Sequence, residues 1–244
     1  MSKIIFISSG KGGAGKSSVC ALLGKALSDM GKSVLIVELD FGLRGQDVLN
    51  GVCDEVLFDI EDVFKERCDV SKAIIKSALS ENLFLLPTTN NMEFSVDLAS
   101  LKNLLTSLKE SYDYLLLDSP AGITGSFRLG GELADISLIV TEPSLVSVRD
   151  SARCAKALST IGKTKLRLII NKSPKFFKPS KAIPDYDAII DMTMVQLIGV
   201  IPEDEKVKSL LGEGKMLGLD SRAFMAAKNI AKRLQGEFVD LLIK

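Results

Sequence analysis

Short apolar runs, rich in leucine or β-branched side chains, recur at residues 4–7, 34–37, 83–86, 114–117, 138–140, 168–170 and 197–201. Runs this short and this uniformly apolar fit strands buried on both faces. Between most of them lie helix-length stretches with apolar positions three and four apart. The clearest is Val19, Leu22, Leu23, Ala26, Leu27 and Met30, with Gly31 placed to stop the helix. Strands alternating with helices predict an α/β fold, a mostly parallel sheet with helices on both faces in three layers. A last periodic stretch, Phe224, Ala227, Ile230, Ala231 and Leu234, reads as the helix that closes the core.

The pattern is least regular in NKSPKFFKPSKAIPDYD, residues 171–187, where prolines and lysines interrupt it. This reads as a surface loop and not a boundary, because a further strand follows, so residues 1–244 are expected to form one domain. A hydrophobic share of 46% over 244 residues supplies ample core. Thirty-one basic residues balance 31 acidic ones, so no net field draws the chain to nucleic acid, and no nucleic-acid partner is expected. Histidine is absent, and Cys20, Cys53, Cys68 and Cys154 are scattered without a C-x-x-C pair, which leaves no material for a zinc cage or a histidine acid/base. The cysteines read as reduced thiols of a cytoplasmic protein. No charged-then-apolar leader precedes the first strand and no apolar run approaches ~18 residues, so neither secretion nor membrane spanning is expected.

Chemistry concentrates in SSGKGGAGKSS, residues 8–18, between the first strand and the first helix. Gly10-x-x-x-x-Gly15-Lys16-Ser17 satisfies the phosphate-loop pattern in the strand-to-helix context its mechanism requires. The glycines let backbone N–H groups converge on phosphate oxygens, and the helix turns its positive end toward the same anion. Gly10, Lys11, Gly12, Gly13, Ala14, Gly15, Lys16, Ser17 and Ser18 are the expected nucleotide cradle. Lys16 should reach the β- and γ-phosphates and Ser17 should ligate Mg²⁺. Asp118 follows a strand at its carboxyl end, where parallel sheets bind ligands, and is expected to hold Mg²⁺ through water. Asn171-Lys172-Ser173-Pro174 superficially matches the guanine-reading N-K-x-D of GTPases, but Pro174 supplies no carboxylate, which favours ATP.

Lys11 occupies a position that the general pattern leaves free. The run Lys11-Gly12-Gly13-Ala14-Gly15-Lys16-Ser17 resembles the deviant motif K-G-G-x-G-K-[ST] of the MinD/ParA family of P-loop ATPases. VELDFGLRGQD (37–47), LLLDSPAGI (115–123), VTEPSLVSVRDS (140–151) and IGVIPEDE (198–205) are similar to the MinD branch of that family more than to its plasmid-partition branch. The resemblance implies that Lys11 crosses a dimer interface to the partner's nucleotide and that Asp40 positions the attacking water. It also implies that Asn171, Pro202, Glu203 and Asp204 flank adenine. Glu38 stands where the family commonly has Asp, and Thr124 where it usually has Glu. The segment carrying Val146, Val148, Arg149, Asp150 and Arg153 corresponds to a region near the dimer and partner surface.

The implied protein is an ATP-dependent homodimer that hydrolyses ATP slowly and acts in the spatial regulation of cell division. Its expected partner is a division inhibitor or an ATPase activator. A ParA-like positioning ATPase and a nucleotide-gated module that does not hydrolyse share the fold and stay open at this point. The tail EFVDLLIK, residues 237–244, sets two acids against Lys244, so it lacks the cations of an interfacial anchor. Membrane association is therefore expected to be weak, peripheral at the inner surface at most.

Overall fold

In the computed structural model each of the seven apolar runs lies within a strand. The structure describes residues 2–123, 125–162, 165–180, 183–211, 213, 215 and 221–241, without the side chains of residues 208 and 210. Strand β1 (Lys3–Ser8) leads through the glycine-rich loop into α1 (Lys16–Ser28), and β2 (Val34–Glu38) follows. The short α2 (Gln46–Leu49), α3 (Ile60–Phe64) and α4 (Val70–Ala73) precede a hairpin of β3 (Ile75–Lys76) and β4 (Leu83–Leu86). Then come α5 (Leu98–Leu108), β5 (Tyr114–Asp118), α6 (Ser126–Leu133), β6 (Ile136–Thr141), α7 (Leu145–Ile161) and β7 (Lys165–Ser173). The series ends with α8 (Tyr186–Thr193), β8 (Leu197–Pro202) and α9 (Arg222–Leu234).

Local chemistry accounts for several boundaries. Asp59 opens α3 with a reciprocal capping box to Asp62, while Ser144 caps α7 through the N–H of Ser147 and Gly162 ends it at φ 87. The strands form one sheet in the order β3-β4-β2-β5-β1-β6-β7-β8, parallel except for β3. β3 has only two residues, one of them an exposed lysine, too few for any apolar periodicity to announce it. β7 runs three residues beyond the apolar run, so Asn171 and Lys172 are strand residues, and α8 takes up the end of the irregular stretch from Tyr186.

The pleat sorts the core into two layers. Ile5, Ile7, Val34, Ile36, Leu116 and Val140 pack beneath α1 and α9. Their strand neighbours Ile4, Phe6, Leu35, Val37, Leu117 and Ile139 pack with α3, α5, α6, α7 and α8 on the other face. Phe224, Ala227, Ile230, Ala231 and Leu234 of α9 are all buried, as their spacing predicts. No helix among the described residues is long and apolar enough to cross a membrane.

Candidate nucleotide site

β1 sits between β5 and β6, and the strand order runs outward from it in both directions. Loops leaving neighbouring carboxyl ends therefore diverge to opposite faces, which opens a crevice above β1. The glycine-rich loop occupies that place. Gly13 and Gly15 adopt φ 84 and φ 83, a left-handed backbone that costs a glycine little. Gly15 caps α1 with no side-chain bond, leaving N–H groups of the first turn directed at the loop interior. An ideal Cβ on Gly10 would lie 2.2 Å from the backbone carbonyl of Asp150, so this glycine is required by the approach of α7.

Lys16 is buried, and its Nζ donates to Asp118 Oδ1 at 2.7 Å and to Ser17 Oγ at 3.2 Å. Asp118 is the last residue of β5 and is 1% exposed. Its other oxygen, Oδ2, accepts a 2.7 Å bond from Gln46 Nε2. Asp40 lies two residues beyond the end of β2, on the following loop and not on the strand itself. Burial raises the Asp40 carboxyl, Lys16 acts against that shift, and Asp118 adds to it. Glu38, the last residue of β2, accepts from the N–H groups of Gly45 (2.8 Å), Gln46 (2.9 Å) and Thr88 (3.2 Å). Burial pushes it up to about 7, against those backbone donors. Lys11 is exposed on the same loop.

A cavity of about 150 Å³ adjoins the cradle. Leu22 and Val19 of α1, Leu49 of α2, and Ile201 and Pro202 of β8 give it an apolar lining, and Gly15, Ser18, Asn171, Glu203 and Asp204 also face it. It thus collects the residues named from the sequence for the base. Asn171 additionally binds the loop, Nδ2 donating to Ala14 O at 2.8 Å. Lys172, at φ 53, donates to Gly13 O and, at 2.6 Å, to Glu142 Oε1. The Asn-Lys pair therefore clamps two successive loop carbonyls.

The structure brings together the cradle residues 10–18, Asp118, Asp40 and the cavity residues Asn171, Pro202 and Glu203. Thr124 lies outside the described residues. Gln46, Lys172 and Leu49 escaped the sequence reading. Lys172 sits beside Asn171, so the paired dipeptide was a usable signal; Gln46 lies inside VELDFGLRGQD, which marked the family without giving this residue a role, and Leu49 carries no motif.

An ammonium, a hydroxyl and a carboxylate beside a phosphate cradle suit Mg²⁺ arriving with a nucleotide, since that ion takes few protein ligands and keeps phosphate oxygens and waters. Among the described residues no group of three or more acidic or cysteine side chains forms a separate metal cage. A central parallel strand feeding a lysine-bearing glycine loop and helix, with a carboxylate ending the adjacent strand, defines a P-loop nucleoside triphosphatase. A family model described as an AAA domain matches residues 2–172. The septum site-determining protein MinD of Synechocystis sp. is 35% identical over 247 residues, covering 99% of this chain and 92% of that protein. The MinC:MinD cell division protein complex of Aquifex aeolicus superimposes with a TM-score of 0.89 at 33% identity, covering 99% of this chain and 98% of the other. MinD complexed with Mg-ADP from Pyrococcus horikoshii gives 0.84 at 29% identity, over 96% of each chain. The chain belongs to the MinD family of P-loop ATPases.

Proposed function

We propose that this chain, acting as one domain, is an ATP-driven dimerisation switch in the spatial regulation of cell division. The carrying observation is the contrast between its two loop lysines: Lys16 is buried against Asp118, whereas Lys11 is exposed on the same loop. Lys16 serves the chain's own triphosphate, exchanging Asp118 for phosphate oxygens. Lys11 reaches the nucleotide of a second copy. Leu43 and Ile123, on the segments after β2 and β5, and Val146, in the first turn of α7 after β6, are exposed apolar residues, which supports a dimer face at the carboxyl end of the sheet.

Ser17 and Asp118 would hold Mg²⁺, which when bound neutralises charge on the phosphates. Asp40 orients the attacking water, and its half-buried carboxylate suffices because phosphoryl transfer needs positioning more than a strong base. Asn171, Pro202 and Glu203 flank adenine in the apolar cavity. Turnover is slow because Lys11 arrives only with the dimer. The relative from Aquifex aeolicus is complexed with MinC, which supports a division inhibitor as the protein partner here. The switch works in the cytoplasm, and the segment 237–241 adds little membrane affinity to it: Glu237 and Asp240 flank the exposed Phe238, and Arg233 holds the carbonyls of Val239 and Asp240.

Light scattering with ATP and Mg²⁺ tests the reading. A dimer that forms with ATP and dissociates as phosphate is released is expected. A monomer throughout would overturn it, and a permanent ATP dimer without phosphate release would identify a binding module instead.

A further inference from the structure

Asp118 is held from two sides, and only one of them belongs to the phosphate loop. Lys16 takes Oδ1, while Gln46 Nε2 takes Oδ2 at 2.7 Å and also donates to Ser17 O at 3.1 Å. One amide thus ties the carboxylate at the end of β5 to the backbone of the hydroxyl residue in α1. Gln46 is 0% exposed, and its remaining polar atoms are engaged. Its N–H donates to Glu38 Oε1 at 2.9 Å, and Asn50 Nδ2 donates to both its Oε1 (3.0 Å) and its backbone O (2.8 Å). Asn50 is fixed in turn by Ser77 Oγ, which donates to its Oδ1 at 2.7 Å. With the Asn50 donor on Oε1, the Gln46 NH₂ must face Asp118, because the reverse orientation would set acceptor against acceptor.

We propose that Gln46 is a positioning residue for the magnesium pair, orienting Asp118 and holding it in register with Ser17 once Lys16 has turned to the phosphates. This rests on the reading of Ser17 and Asp118 as that pair. Groups that orient metal ligands typically contribute 10–100-fold in metal affinity, and a carboxylate acting through water belongs near the lower end, about tenfold.

The test uses the whole chain and a fluorescent ATP analogue, titrated in EDTA and across a Mg²⁺ series, with thermal unfolding alongside. Gln46→Met keeps the length and loses the donor. It is expected to raise the Mg²⁺ half-saturation about tenfold while metal-free nucleotide affinity stays within about twofold. Gln46→Asn, with its amide one methylene shorter, should fall between the parent and Gln46→Met, and it carries the test alone if Gln46→Met does not fold. An equal loss with and without Mg²⁺ would mean a packing role and overturn the proposal. A parental half-saturation in the Gln46 variants, with Asp118→Asn shifted, overturns the proposal alone. An unshifted Asp118→Asn overturns the magnesium reading itself.

Discussion

Gly10 and Gly12 are both loop glycines, yet their surroundings predict opposite responses to one added methyl group. On Gly10 an ideal Cβ would stand 2.2 Å from Asp150 C and O and 2.7 Å from Ser151 N, all backbone atoms of α7. A helix backbone in mid-span cannot swing aside as a side chain can, so Gly10→Ala must part the loop from α7 by roughly 1 Å. Overpacking of this kind costs about 1–3 kcal/mol. At ~2–4 °C per kcal/mol for a protein of this size, Tm should fall by roughly 2–12 °C. The same displacement moves the cradle's N–H groups off the phosphates. Losing one charge-assisted hydrogen bond worth about 1.5–3 kcal/mol weakens ATP binding at least tenfold. On Gly12 the Cβ would meet only Ala121 Cβ, at 3.9 Å, so Gly12→Ala should stay within about 0.5 kcal/mol of the parent. Nucleotide-free thermal unfolding of both variants, followed by titration with a fluorescent ATP analogue, makes the comparison. Equal Tm values for the two would show that the approach of α7 does not constrain the loop.

Lys16→Ala should lose nucleotide affinity by about 1.5–3 kcal/mol, whereas Lys11→Ala should bind ATP as a monomer and fail to dimerise; equal loss of affinity in both would contradict the division of labour. Asp40→Ala should bind ATP and Mg²⁺, accumulate as a long-lived dimer and turn over at least about 100-fold more slowly, and unaltered phosphate release would move the positioning role elsewhere. Glu38 titrates at about 7 in the folded chain against 4.5 for a free carboxyl, so the folded state binds its proton more tightly. Its contribution to stability is full below pH 4.5 and is lost as pH rises through about 7, a change of roughly 3 kcal/mol. Denaturant midpoints over that range should slope less in Glu38→Gln than in the parent; parallel curves would count against the buried-carboxyl account.

Sequence alone determined the strand-helix alternation, the three layers and the phosphate loop, because each is written in contiguous residues whose spacing carries its own physics. It also reached Asp118, since a carboxylate following an apolar run marks a strand's carboxyl end. The two-residue β3 carried no period to read, and the extension of β7 through Asn171 and Lys172 ran past its apolar core because polar residues can continue a strand that neighbours hold by backbone bonds. The partnerships inside the site were decided by tertiary structure. Gln46 meets Asp118 across 72 positions and Asn171 meets Ala14 across 157, distances over which local pattern says nothing about who touches whom. The loop glycines make the same point from the other side: their identity suits a phosphate cradle, but only the approach of α7 to the loop separates Gly10, where a methyl group has no room, from Gly12, where it has.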